Sequence, residues 1–396
     1  MATFSTSSGL VALNNPNSAL AVVTNSANAF HNGFANGATL AQLQASVPLG
    51  FAAPTFSTVE NKMINPKYYE WNFELQQTIS KYLMVSLNYV GNHGHDEVNQ
   101  NPLMNAYSKN FLGMPTTAPD PRFGQVRELN NTGYSYYDGL VTSLRWHLGH
   151  QFSGQFNFNW GHALDVCSNS CLEPYSASNV VSVRNQLSPL GLSAVNYGPA
   201  DYDTRHTVSS NYVYTVPRHF GNKILNSAVG GWTLAGTILF HSGYPFSITD
   251  SSVRSQVSNS SGITTALVLA DYLGTGYPSC TTPNASCYSK SLFTAAASQH
   301  DWGNIARGSF RGPGYFDTDL NVNKTFAYKE RYKLTVGAYF FNVLNHANFD
   351  LPGNNIPSGN FGQILNSVSP PSSAYGSFQG SAVSGRLVQL VVKFVF

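Results

Sequence analysis

Charged side chains are scarce in this chain: they make up 10% of its 396 residues, against about a quarter in an ordinary globular protein. So little charge excludes a large soluble surface kept hydrated in the usual way. With a formal net charge of +2 and no Lys/Arg stripe, nucleic acid is not expected as a partner. Long apolar runs are missing too. No stretch approaches the roughly 20 apolar residues of a spanning helix, which excludes a helical membrane protein. The first basic residue is Lys62, so Met1 opens neither the charged n-region nor the apolar h-region of a signal peptide.

Cysteine is confined to two local pairs, Cys167 with Cys171 and Cys280 with Cys287. Both lie in Ser/Asn/Pro-rich stretches that read as loops. Close pairs in an exported chain suggest small loop-stapling disulfides. Zinc is the competing reading, but no Cys-x-x-Cys spacing or nearby His-x-x-x-His supports it.

What the chain has in abundance is aromatic side chains, 13% of the total, set among Asn, Ser, Gly and Thr. They recur with period two, the spacing of a strand. Phe152, Phe156, Phe158 and Trp160 interleave with Ser153, Gln155, Asn157 and Asn159. Similar runs pass through Trp71 to Ile79, Leu83 to Tyr89, Leu140 to Leu148, Val208 to Val216, Trp232 to Phe240, Phe316 to Phe326 and Leu334 to Phe340. A last one ends on Phe394 and Phe396, with Gln389 and Lys393 on its other face. With their flanking residues the runs reach about 10 to 14 residues, longer than the five or six of globular strands and matched to a tilted bilayer crossing.

Short turns near Ser80-Lys81, Gly149-His150, Pro217 to Gly230 and Ala327 to Arg331 alternate with long segments. The long ones run from Asn92 to Ser135, Asp165 to Thr204, Gly243 to Gly314 and Asn345 to Ser384. This is the rhythm of an all-β, antiparallel transmembrane β-barrel with short periplasmic turns and long extracellular loops. A C-terminal strand closing on Phe394 and Phe396 fits the same architecture. About nine to ten strands are expected, and an odd count does not close a bacterial barrel. The expectation is therefore a C-terminal barrel portion over residues 66–396, entered from an extracellular loop region over residues 1–65, partly irregular with a short helix around Thr39 to Ala45. The lack of a leader leads to the same expectation of a missing N-terminal part.

Several motifs resemble, in order, those of the Oar-like barrels of TonB-dependent outer-membrane transporters. They are Tyr89-Val-Gly-Asn-His-Gly94, Trp160-Gly-His-Ala-Leu-Asp165, Asp203-Thr-Arg-His206, Gly230-Gly-Trp232, Ser242-Gly-Tyr-Pro-Phe246, Arg311-Gly-Pro-Gly314 and Phe341 to Phe349, followed by Gln389 to Phe396. No single motif is specific; the ordered set, covering Pro66 to Phe396, is. The resemblance implies a barrel of about 22 strands, a plug domain and a TonB-contacting segment. Neither of the latter is present in this sequence, so contact with the TonB energy-coupling complex is expected only through a plug outside it.

Candidate sites have plainer readings beside them. His93, His95, Asp96 and Glu97 are close enough in sequence for a metal site, or form a strand end running into a solvated loop. Asp203, Arg205 and His206 read as a catalytic cluster or as ion pairs at the barrel rim. Asp317 and Asp319 share a face, as acid–base carboxylates would, or as a lumen-facing row would. Trp71, Trp146, Trp160 and Trp232 suit interfacial girdles better than carbohydrate platforms. No catalytic residue, cofactor site or metal site is assigned, and an enzyme is not expected.

The leading reading is a fragment of an outer-membrane transporter in a Gram-negative-type bacterium, with lipid as its outer partner and a large scarce substrate of unknown identity. A passive porin-like channel and a surface adhesion or structural barrel remain open as alternatives.

Overall fold

The computed structural model describes residues 2–3, 16–47, 50–101, 104–107, 115–166, 168, 196–218, 221–250, 269–283, 286–294, 303–328, 331–368 and 385–396. Its frame is a row of long strands: β1 (Lys67–Ser80), β2 (Leu83–Asn101), β3 (Val126–Leu148), β4 (Phe152–Asp165), β5 (His206–Thr215), β6 (Trp232–His241), β7 (Tyr315–Tyr328), β8 (Tyr332–Phe341) and β9 (Leu387–Val395). Each pairs antiparallel with the next. Tight reversals join β1 to β2 and β3 to β4, the latter at Gly149, whose φ of +61° suits a residue without a Cβ.

The register sorts the side chains into two faces. Phe73, Tyr89, Leu140 and Trp160 are cross-strand neighbours on one face. Leu234, Val322, Ala338 and Leu390 continue that face at the other end of the sheet. On the opposite face Ser143, Asn157 and Ser209 are aligned, as are Asn211, Thr237 and Asp319. Because the side-chain period is two, a slip of one residue would exchange the faces wholesale, so the pattern pins the register.

Among the described residues no second sheet covers the apolar face. Phe394 on it is 58% exposed and Leu390 81%, which suits contact with hydrocarbon and not a sandwich core. Among the described residues β1 pairs only with β2, and β9 only with β8. The sheet is therefore open at both edges and does not close into a cylinder.

Two expectations need correction. The segment from Asn92 to Ser135 is not a plain loop. The β2–β3 ladder runs through much of it, to Asn101 and from Val126. Backbone hydrogen bonds hold a ladder without any apolar alternation, so polar residues beyond the bilayer continue it. Register shifts around Glu97, next to Asp96 at φ +57°, bend the hairpin there.

The long segments are not structureless either. A buried cluster of Phe246, Ile248, Tyr288, Phe293, Phe310 and Phe361 joins the β6–β7 and β8–β9 connections into a folded cap. Rings meet edge-on at 5.3 Å for Tyr288–Phe310 and 5.4 Å for Phe293–Phe361, a favoured aromatic geometry.

Before β1 lie α1 (Pro16–Phe34) and α2 (Leu40–Ala45), more helix than an irregular segment. Thr39 starts α2 with a reciprocal capping box to Gln42, which satisfies otherwise orphan N–H groups. Phe30 and Phe34 of α1 pack on Phe123 at 5.3 and 5.2 Å. The short strand Thr55–Val59 runs parallel to Val126–Leu129 of β3.

Candidate functional site: the polar face and its cap

The polar face is built from neutral side chains that satisfy one another. Ser143 and Gln155 donate to Asn157 Oδ1 at 2.8 and 2.7 Å, and Asn157 Nδ2 donates to Ser209 at 3.3 Å. Thr325 and Thr335 share a bond of 2.8 Å across β7 and β8. Asp317 and Asp319 both lie on this face, and Asp319 accepts from the Asn342 N–H at 2.9 Å. A concavity of about 340 Å³ opens here, its lining mostly apolar (Val213, Ala235, Leu320, Phe341) with Asn211 and Asp319 among it.

The cap is fastened above the strand ends by two ion-pair latches. Asp165, the last residue of β4, meets Arg307, which is 1% exposed. Arg307 also donates to Pro199 O at 3.1 Å, while Ser168 Oγ donates to Asp165 Oδ2 at 2.8 Å. In the second latch Asp203 accepts from Arg311 and lies 3.3 Å from Arg205 Nε. Its Oδ1 takes the Ala163 N–H at 2.7 Å, and Arg311 Nη1 reaches Asp203 O at 2.8 Å. These carboxylates are engaged in structure. Of the anticipated cluster, Asp203 and Arg205 come together, whereas His206 stacks on Phe158 at 5.9 Å on the apolar face.

Within the cap Cys280 and Cys287 are disulfide-bonded, their Cα atoms 5.4 Å apart, with Cys280 in the apolar cluster. Cys167 and Cys171 lie outside the described residues. Burial pushes the Asp350 carboxyl above the usual carboxylate range, partly opposed by a bond from the Leu351 N–H. Burial, followed by the charge of Asp165, pushes the Tyr202 phenol up to about 12.

The apolar face carries aromatic belts near both ends. Trp71, Tyr136 and Trp160 lie toward the long connections; Trp146, Tyr214, Trp232 and Tyr332 lie toward the short turns. Two rings lie over glycines of the neighbouring strand: a Cβ at Gly91 would come within 2.2 Å of the Trp71 ring, and one at Gly154 within 2.4 Å of the Trp146 ring. Phe152 to Trp160 covers roughly 27 Å of strand at ~3.4 Å per residue, which at a tilt of about 40° crosses ~21 Å, most of an apolar band of about 25 Å. Phe394 sits opposite Leu334 and stacks on Tyr332 at 6.3 Å and on Phe396 at 6.0 Å.

The imidazoles of the His93–Glu97 segment are drawn into an aromatic row. His93 stacks on Tyr136 at 4.0 Å and His95 on Tyr69 at 5.2 Å, and His95 Nδ1 bonds Asp96 at 2.9 Å. Among the described residues no three His, Cys, Asp or Glu are placed to hold a metal ion.

Two residues that matter here carry no sequence signal. Arg307 sits in an unpatterned stretch. Lys324 falls on the apolar side of β7, opposite Trp232, where alternation calls for a hydrophobe.

A two-faced antiparallel sheet, belted by aromatics and uncovered on its apolar side, defines the class: a β-sheet wall built to stand in lipid. A family model described as outer membrane beta barrel domain matches residues 2–389. The chain belongs to that family, and its place is the outer membrane. No curated protein matches it. Among solved structures it is similar to the outer membrane transporter YddB from Escherichia coli, at 16% identity and TM-score 0.43, covering 84% of this chain and 33% of that one. It is also similar to the FrpB iron transporter from Neisseria meningitidis (F3-3 variant), at 12% identity and TM-score 0.37, covering 89% and 34%. The chain spans about a third of the length of either transporter.

Proposed function

We propose that this chain is the C-terminal portion of the barrel of a TonB-dependent, Oar-like outer-membrane transporter that takes up a large, scarce substrate. One observation carries the reading: a lipid-suited sheet, lined inside by neutral polar groups and capped by folded loops, leaves both edges unpaired among the described residues. Unpaired strand edges are unstable in a bilayer, because each unsatisfied N–H or C=O costs several kcal/mol there. In this proposal further strands lie beside those edges, and a wall of about 22 fits the family resemblance. In this reading the long connections and residues 1–65 face outward, and the cap captures the substrate. The polar face offers a hydrated path. TonB acts through a plug supplied by other parts of the protein. Passage depends on binding, not covalent chemistry.

The test is uptake by cells carrying the full-length protein, with candidate iron chelates, saccharides and peptides, before and after the proton-motive force is collapsed. Energy-dependent uptake that disappears with TonB supports the proposal. Steady conductance by the purified protein in a planar bilayer, indifferent to TonB, supports a passive channel instead. Loss of cell attachment on deleting the cap, with uptake unchanged, supports an adhesin.

A further inference from the structure

The connection between β5 and β6 is the least expected of the short turns, because it holds α3 (Lys223–Ala228). Asn222 caps it, accepting the Ile224 N–H at 2.8 Å. The helix is bound to the apolar side of the sheet. Trp232 Nε1 donates to Ala228 O at 2.9 Å, and Lys324 Nζ donates to Ser227 O and to Ala228 O. Lys324 is 3% exposed, and its ammonium lies 5.7 Å from the Trp232 ring and 5.4 Å from the Phe326 ring. A cation on a lipid-facing row is costly unless it reaches the interface or a partner. Here the C-terminal carbonyls of α3 take that part, with the negative end of the helix dipole. Lys324 is thus a brace holding α3 against the outer side of the sheet.

The brace leaves an apolar patch facing outward. Ile224 is 79% exposed, Leu225 47% and Val229 41%. Trp232, on the apolar face, is joined to the same helix by its bond to Ala228 O. Arg218 and Lys223 flank it, both exposed, and no Asp or Glu occurs between Asp203 and Asp250. Apolar side chains beside exposed cations that form no ion pair among the described residues, at the level of an aromatic belt, match the two layers of a bilayer interface.

We propose that α3 is an interfacial foot that binds anionic phospholipid in the leaflet at the short-turn end. Ile224, Leu225 and Val229 enter the acyl boundary, while Arg218 and Lys223 hold the headgroup phosphate. This site is independent of any transported substrate.

The experiment uses the full-length protein refolded into phosphatidylcholine vesicles with a minor fraction of bromine-labelled phosphatidylglycerol, or of phosphatidylcholine labelled on the same chains. Ile224→Trp adds an indole at the patch, and its emission is read as the difference from the parent protein. The expected result is blue-shifted added emission, quenched preferentially by the anionic lipid. Each cation contributes roughly a fivefold preference, which Arg218→Gln and Lys223→Gln together abolish. Added emission like that of an indole in water, or equal quenching by both lipids, overturns the proposal. Val229→Trp, read the same way, serves if the first variant fails to refold, with heat-modifiable gel mobility as the folding control.

Discussion

Arg307 and Asp165, 142 residues apart in the chain, form a buried ion pair that ties the β6–β7 connection to the end of β4. Removing one partner strands the other in a low-dielectric site. Arg307→Met is therefore expected to destabilise the cap by about 3–5 kcal/mol, and Arg307→Met with Asp165→Asn by much less. Hydrogen exchange of residues 303–311 in detergent micelles measures both. Equal exchange in wild type and single variant would show that the latch holds nothing.

The two faces of β6 make opposite predictions for neighbouring residues. Ile238 lies on the apolar side and Thr237 on the polar side, opposite Asp319. Ile238→Arg near the middle of the band should cost roughly 2–4 kcal/mol in a bilayer, while Thr237→Arg should be nearly neutral. Urea titration of the protein in lipid vesicles distinguishes them, and a reversed order would place lipid on the wrong face.

The Cys280–Cys287 bridge closes a loop with a sequence separation of 7. By the chain-entropy relation its removal costs on the order of 2 kcal/mol. Cys280→Ser with Cys287→Ser should speed protease cleavage within residues 269–294 and leave β1–β9 intact. Alkylation mass shifts with and without reductant establish the oxidation state directly.

Asp120 accepts Arg122 Nη2 at 2.7 Å, and the Arg122 guanidinium covers the Phe34 ring at 4.3 Å. The bond from Arg122 holds the Asp120 carboxyl below its ordinary 3.8, with partial burial opposing. The folded value lies under the unfolded one, so this contribution to seating α1 is whole above the unfolded value. It is lost as pH falls through the lowered folded value. Amide exchange in α1, corrected for its intrinsic pH dependence, should rise at the acid end of that window. The step should be absent in Asp120→Asn.

The strands were legible because lipid on one side and neutral polar groups on the other impose a period of two. Phe152 to Trp160 shows it most clearly, and that run is β4. The helix begun by Thr39 was legible as well, from a local cap. The Arg307 latch, the Phe246–Phe361 cluster and α1 were not. Their partners lie far apart in sequence and follow no period, so nothing local distinguishes them from loop residues. Lys324 was hidden for a related reason: its partners are backbone carbonyls of α3, which have no residue type.

Alternation along the chain alone determined which segments become strands and which side of each meets hydrocarbon, because that choice is made one residue at a time by contact with lipid or water. Only the tertiary structure decided that the connections fold into a latched cap, that a lysine braces a helix on the lipid side, and that both sheet edges stay unpaired among the described residues. Those outcomes depend on groups brought together from distant parts of the chain, and distance in space is not written in local order.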